Sequence, residues 1–189
     1  VIPILDDVRT ERDPRDFYPT PEWAVSALYR EFPQLPQPTL DPCAGIGSLL
    51  APVGRFGYKP VRGIELDPEL AHEAGRRGQW VIQGDGLAAS WRGENILMNP
   101  PYKDAQTWIK KGIDEAASVC ALLRLGFLAS RKRSALLRRN PPHGLGVLSK
   151  RPSFRWGRTD SSEYGWFIWL NRPNPSGTVI RWLLPEAKP

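Results

Sequence analysis

The sequence predicts an α/β fold: an open, doubly wound and mostly parallel sheet with helices on both faces. Three observations predict it. Short apolar runs alternate with stretches of about ten residues that carry helical periodicity, the pattern of parallel crossover units. The length of 189 residues suits one domain with a full core. The last third changes rhythm and sets strands in succession without helices between them.

Each element follows from its own residues. Residues 1–20 suggest an extended arm, with few apolar positions after Leu5. Thr20 before Pro21 fits a helix cap with proline in the first turn, and Ala24, Leu28 and Phe32 share one face of a helix over 23–32. PQLPQP at 33–38 is too short for a domain linker. TLDP (39–42) ends a short strand, and SLLAPVGRF (48–56) follows as a helix despite Pro52. VRGIEL (61–66) and PELAHEAGRR (68–77) make a second strand and helix, and WVIQ (80–83) and ENILM (94–98) are further strands. AQTWIKKGIDEA (105–116) places Trp108, Ile109 and Ile113 at helical spacing. SVCALLRL (118–125) is a fifth strand, and FLASRKRSALLRR (127–139) a basic helix. GLGVLSK (144–150), EYGWFIWLN (163–171) and TVIRWLL (178–184) are then expected as antiparallel additions at one edge of the sheet. Trp166, Phe167, Ile168 and Trp169 alternate on their strand, so most of them serve packing.

Composition narrows the class. Apolar content of 41% and charged content of 24% belong to a globular chain, not a disordered one. No apolar run approaches membrane-spanning length, and VIPILDDVRTERD turns acidic too early for a secretory signal, so an intracellular, cytoplasmic protein with no membrane partner is expected. Cys43 and Cys120 cannot make a disulfide framework, and with His72 and His143 they lack zinc-site spacing, so no metal is expected. The net charge of +6 matters less than its placement. Between Glu115 and Asp160 there is no acid, yet Arg124, Arg131, Lys132, Arg133, Arg138, Arg139, Lys150, Arg151, Arg155 and Arg158 all fall there. Such a run suits a polyanion, nucleic acid first, or else forms a solvated basic face.

In an open parallel sheet, ligands bind beyond the carboxyl ends of the strands. Four of those ends carry suggestive residues. DPCAGIGSLL follows the first: Gly45 and Gly47 let the backbone turn tightly and approach a ligand, while Asp41 can accept hydrogen bonds. Glu65, at the tip of GIELDP, stands 24 residues beyond Asp41, a spacing that suits an acid holding ribose hydroxyls. GDGL offers Asp85 as an acceptor for an exocyclic amine, and NPPY, Asn99 to Tyr102, ends the fourth strand. Two prolines remove backbone donors and stiffen that rim, which makes it either a turn or a clamp for something flat and polar. Each residue has a bland alternative: Glu65 as a helix cap, Asp85 as a turn residue, Cys43 as a small buried side chain. Together they outline a pocket for a ribose, an adenine and a charged tail beside a slot for a planar base. The third glycine of a dinucleotide site is missing from its place, and no phosphate loop of the GK[ST] kind is present.

On these motifs the chain resembles the compact phage and prophage type of DNA adenine-N6 methyltransferase that uses S-adenosyl-L-methionine. FYPTP (17–21) is similar to the aromatic-TP element that closes over the cofactor in that family. RPSF (151–154) and TDSSEYGWFIW (159–169) resemble its C-terminal half. The resemblance implies a seven-stranded sheet of the class I methyltransferase type with an antiparallel C-terminal hairpin. It implies cofactor contacts from Phe17, Tyr18, Pro19, Thr20, Asp41, Pro42, Cys43, Ala44, Gly45, Gly47, Glu65, Leu66, Asp85, Gly86, Leu87 and Asn99. Asn99, Pro100, Pro101 and Tyr102 would be catalytic. The Asn99 side-chain oxygen and the Pro100 carbonyl would accept both N–H bonds of an adenine amine, freeing its lone pair for in-line attack as charge develops. Tyr102 would stack on a base flipped from duplex DNA.

Arg131, Lys132, Arg133, Lys150, Arg151, Arg155 and Arg158 would lie on phosphates, with Phe154 as the opposite wall of the base slot or as core. No spare length remains for a separate target-recognition domain, which leaves the loops at 86–93, 139–145 and 151–163 to read sequence, loosely or across a homodimer. Val1 in place of methionine suggests that some N-terminal segment precedes it. The alternatives are adenine in RNA, cytosine N4 in DNA, a protein glutamine, or a catalytically idle nucleic-acid-binding module.

Overall fold

The computed structural model describes residues 19–58, 61–152 and 162–185. The expected arm at 1–18 therefore lies outside the described residues. Helix α1 (Glu22–Glu31) leads into strand β1 (Leu40–Asp41), short helix α2 (Leu50–Gly54) and β2 (Arg62–Glu65). Helix α3 (Pro68–Arg76) leads to β3 (Val81–Gln83), followed by β4 (Asn95–Met98), α4 (Ala105–Glu115) and β5 (Ser118–Arg124). A 3-10 turn (Leu125–Phe127) precedes α5 (Arg131–Arg139), and β6 (Gly144–Leu148), β7 (Tyr164–Leu170) and β8 (Val179–Leu183) are the last elements among the described residues.

Local chemistry sets most of these boundaries. Asp67 caps α3, accepting from the Glu69 and Leu70 N–H groups at 2.8 and 3.3 Å, with Pro68 at the first helical position. Pro52 is tolerated because α2 is only five residues long, and the first-turn N–H groups of a helix have no intrahelical partner anyway. The basic helix starts at Arg131 and not at Phe127, because Leu125–Phe127 closes as a tighter turn first. Thr20 does not cap α1. Pro21 occupies the cap position without a side-chain bond, and the Thr20 hydroxyl is used elsewhere, by Asn99.

The eight strands lie in the order β3-β2-β1-β4-β5-β7-β6-β8. This is one strand more than the seven expected, since β8 pairs in register with β6 from Gly144↔Val179 to Leu148↔Leu183. The expected antiparallel C-terminal hairpin is present as β6 and β7. The expectation that all three last strands would be antiparallel additions is corrected: among the described strands β7 alone runs against the others, β6 reaches the sheet through the α5 crossover, and β8 lies parallel to β6. The chain moves outward from β1 to β3, then returns to place β4 on the other side of β1. That reversal opens a crevice at the C-terminal ends of β1 and β4.

Two cores fill the two faces. Ala24, Leu28, Phe32, Leu50, Val53, Tyr164, Trp166 and Ile168 form one beneath α1 and α2. Trp91, Trp108, Ile109, Phe127, Phe167 and Trp169 form the other, with Leu136 and Leu137 of α5 packed partly against it. Strand β7 supplies both by strict alternation, and Trp166 Nε1 donates to the Ala24 carbonyl at 2.9 Å to fix α1 on the sheet.

Candidate active site

The glycine loop after β1 is built by backbone approach. Gly45 and Gly47 take φ of 54° and 78°, the left-handed region that other residues avoid. Gly86 answers from the β3 side: a Cβ there would fall 1.8 Å from the Pro42 carbonyl oxygen, so only glycine lets the two loops close together. The indole of fully buried Trp91 holds this junction, donating from Nε1 to the Gly86 carbonyl at 2.8 Å.

Three carboxylates are then oriented by main-chain donors. Asp41 is 1% exposed and accepts from the Cys43 N–H at 3.1 Å. Glu65 accepts from the Gly45 N–H at 2.7 Å through one oxygen and from the Asp67 N–H at 2.8 Å through the other. Exposed Asp85 accepts from the Leu87 N–H at 2.8 Å in a tight Asx turn. Burial pushes the Asp41 carboxyl up to about 7; the Cys43 N–H opposes the rise and the Glu65 charge adds to it. Burial likewise pushes the neighbouring Cys43 thiol well up, with Asp41 and Glu65 contributing. It is a weak nucleophile there.

At the β4 end, Asn99 Nδ2 donates to Thr20 Oγ1 at 3.0 Å and the Tyr102 hydroxyl donates to Asn99 Oδ1 at 3.0 Å. The amide therefore has a defined orientation, its nitrogen on Thr20 and its oxygen on Tyr102. The Tyr102 ring packs against Tyr164 at 5.6 Å between centroids, and the Arg124 guanidinium lies 4.9 Å from its centre.

These elements enclose a cavity of about 650 Å³. Pro19, Thr20, Asp41, Pro42, Cys43, Ala44, Gly45, Glu65, Leu66, Asp85, Gly86, Asn99 and Pro101 line it, as sequence reasoning grouped them. Gly47, Leu87, Pro100 and Tyr102 are not among the lining residues. Phe17 and Tyr18 lie outside the described residues. Leu66 lines it at the rim and is 69% exposed. Sequence reasoning missed Ser48, Leu49, Asp67, Leu70 and Trp108, which also line the cavity. The helical spacing of Trp108 marked it as core, and it is both core and wall.

The basic residues divide. β5 and β6 run the same way, so Arg131, Lys132 and Arg133, which follow β5, share the cavity's edge of the sheet with Lys150 and Arg151, which follow β6. Arg131 and Lys132 are exposed in the first turn of α5, where no acid complements the helix dipole. Arg133 turns inward, donating to the Phe127 and Gly126 carbonyls at 2.9 and 3.0 Å and covering the Phe127 ring. Arg151 pairs with Glu163 at 2.7 Å, which holds that carboxyl below its usual range. Phe154, Arg155 and Arg158 lie outside the described residues. Among the described residues no group of His, Cys, Asp and Glu could hold a metal ion, and no helix is long and apolar enough to cross a membrane.

No protein-family model and no curated protein matches the sequence. Solved structures do match in shape. A candidate class I S-adenosylmethionine-dependent methyltransferase from Listeria monocytogenes aligns over 89% of this chain and 66% of its own, with a TM-score of 0.64 and 15% identity. The modification subunit of a candidate type I restriction enzyme from Vibrio vulnificus aligns over 90% of this chain and 48% of its own, at 0.61 and 16%. An RNA methyltransferase from Salinibacter ruber aligns over 90% and 96%, at 0.53 and 18%. The chain thus spans about two thirds of the Listeria protein and about half of the Vibrio subunit. The strand order, the reversed β7 and these likenesses together give the chain the class I methyltransferase fold.

Proposed function

We propose that the chain is an S-adenosylmethionine-dependent methyltransferase acting on an exocyclic base amine in nucleic acid, with adenine N6 of DNA as its target. One observation carries this reading. Asn99 stands at the wall of the same cavity that Asp41, Glu65 and Asp85 line, its amide held by Thr20 and Tyr102.

The cavity fits the cofactor on its own terms. Its volume lies in the range of small-molecule sites. A buried carboxyl pushed up to about 7 gains from a cationic partner, which suits Asp41 for the ammonium of the methionine portion. Glu65 has lone pairs left after its two backbone bonds and suits ribose hydroxyls; Asp85 and exposed Leu66 suit the adenine edge and face. S-adenosylmethionine, when bound, supplies a methyl group on a positively charged sulfur.

The chain's own residues do the rest. Asn99 Oδ1 and the Pro100 carbonyl accept the two N–H bonds of the incoming amine, which favours a tetrahedral nitrogen and an available lone pair. Pro100 and Pro101 stiffen the rim so that these acceptors keep their places. Tyr102 stacks on the extruded base, a contact worth about 1–3 kcal/mol. Arg131, Lys132 and Lys150 meet phosphates along the rim, and neither cysteine takes part as a nucleophile. DNA in duplex form is the partner in this reading, and the site sits at a rim open to it.

RNA is the second reading. The likeness to an RNA methyltransferase over nearly its whole length supports it, and the same clamp accepts an adenine amine from either polymer. Transfer of labelled methyl from S-adenosylmethionine to duplex DNA, single-stranded DNA and RNA, followed by nucleoside analysis, separates the two. N6-methyldeoxyadenosine is expected. Label confined to RNA would overturn the DNA reading, and no label in any polymer would overturn both.

A further inference from the structure

The two edges of the sheet are finished differently. β3, at one end, is three residues long, and short edge strands resist pairing with other chains. β8, at the other, offers five residues and has β6 as its one neighbour among the described strands. The Val179 N–H donates to the His143 carbonyl, and the Leu183 carbonyl accepts from the Ser149 N–H. By alternation, then, Val179, Arg181 and Leu183 turn their backbone groups toward β6. Those of Ile180 and Trp182 point out of the sheet, where no described strand meets them.

The side chains of this edge divide by face. On the α1 face Leu183 is fully buried, and the Arg181 guanidinium lies 5.4 Å from the centre of the Phe32 ring. Ile180 and Trp182 are in register with Leu145 and Val147 and so share the α5 face. Pro185 keeps Leu184 extended, which continues the row. Ile180, Trp182 and Leu184 are 50%, 65% and 59% exposed, an apolar row beside an open backbone edge. Lysine, proline or a bulge commonly blunts such an edge. β8 has none of them, and its one charge, Arg181, is engaged by the Phe32 ring.

The row is complementary to itself. A two-fold axis through Trp182 sets this side chain beside Trp182 of a second copy, and Ile180 beside its Leu184. The apolar row then runs unbroken across the junction, and Arg181 stands opposite Leu183. An axis one residue earlier would set two Arg181 guanidiniums directly opposite, which is unfavourable. The exposed parts of the row come to on the order of 400 Å² in each copy. Two copies with their backbone edges approach the roughly 1,000 Å² that a specific interface needs. Antiparallel pairing also sends the two cavity edges, with Arg131, Lys132 and Lys150, to opposite sides of the joined sheet. That keeps the basic rims apart in a chain of net charge +6.

We infer that β8 is a self-association edge, through which two copies of the chain pair antiparallel about Trp182 into one continuous sheet. The pairing does not depend on the methyl-transfer reading, and it leaves each cavity rim to act alone.

Sedimentation velocity over a concentration series should show a monomer–dimer equilibrium in the micromolar range. Trp182→Lys should weaken it by at least about tenfold with an unchanged far-UV circular dichroism spectrum, since the side chain is largely exposed. Trp182→Cys, on the axis, should give a disulfide-linked dimer on mild oxidation. Neither the wild type nor Trp80→Cys, an exposed position at the β3 edge, should do so. In hydrogen exchange, the Ile180 and Trp182 amides should gain protection as concentration rises. A monomer at every concentration would overturn the inference, whether its β8 amides are bare or protected by another part of the chain. A dimer that survives Trp182→Lys would place the contact elsewhere and overturn it too. So would growth beyond the dimer, the mark of a non-closing contact such as β8 on β3. A wild-type dimer that Trp182→Cys fails to trap would overturn the axis at Trp182.

Discussion

The two halves of the cavity are held by different means. On the β1–β2–β3 side, Asp41, Glu65 and Asp85 are oriented by main-chain N–H groups of their own loops and of the glycine loop. On the β4–β5–β7 side, Thr20, Asn99, Tyr102, Tyr164 and Arg124 orient one another through side chains. A backbone-held acid keeps its place as long as the loop does. A side-chain relay depends on every member, so the second half should be the more fragile in chemistry and the first in ligand binding.

Asn99→Ala tests the fragile half most severely. Loss of one preorganised group of this kind costs about a hundredfold to a thousandfold in rate. Single-turnover transfer of labelled methyl should fall by that order while cofactor affinity, followed by calorimetry, stays near wild type. A variant with near-normal transfer would reduce NPPY to a structural turn.

On the other half, Glu65→Ala should weaken S-adenosylmethionine binding by roughly tenfold to over a hundredfold, the range for hydrogen bonds to a charged group. It should also lower the melting temperature, because Glu65 fastens the Gly45 loop to β2. Unchanged affinity with a lower melting temperature would leave the carboxylate only its loop-fastening role.

Asp41 gives the same half a pH signature. Its carboxyl, ordinarily near 4, is pushed up to about 7 by burial. A cationic ligand needs the ionised form, so cofactor affinity should rise about tenfold between pH 6 and pH 8 and then level off. In the ligand-free protein the sign is opposite. The folded state keeps a proton that the unfolded chain has lost, so this group's contribution is present below about 4 and lost as pH rises through about 7. Asp41→Asn should flatten both profiles, measured by titration calorimetry and thermal melts across that window.

The smallest effects belong to the basic rim. Arg131→Ala with Lys132→Ala should weaken DNA binding about equally on all sequences and reduce the salt slope by roughly one for each phosphate no longer neutralised. Arg133→Ala should lower the melting temperature instead, since its guanidinium holds the Gly126 and Phe127 carbonyls. Arg151→Ala should change little, because its partner is exposed Glu163. An altered base preference from the Arg131 and Lys132 pair would show that these residues read sequence.

What the sequence determined by itself was the local part. The period-two and helical patterns located the strands and helices, since burial of one face leaves its mark within a few residues. The glycine loop, Glu65, Asp85 and NPPY were legible because strand ends in such a sheet converge, and because Asp85 and Asp41 accept from N–H groups two residues away. Tertiary structure decided the rest. Strand direction leaves no trace in alternation, so the antiparallel hairpin of β6 and β7 was found as expected while β8, expected antiparallel too, lies parallel to β6. Thr20 looked like a helix cap until Asn99, 79 positions away in the chain, claimed its hydroxyl. Arg124 looked like one cation among ten, but 40 positions separate it from the tyrosine it holds. A hydrogen bond to one's own loop is written in neighbouring residues. A hydrogen bond across strand ends exists only once the sheet has brought those ends together.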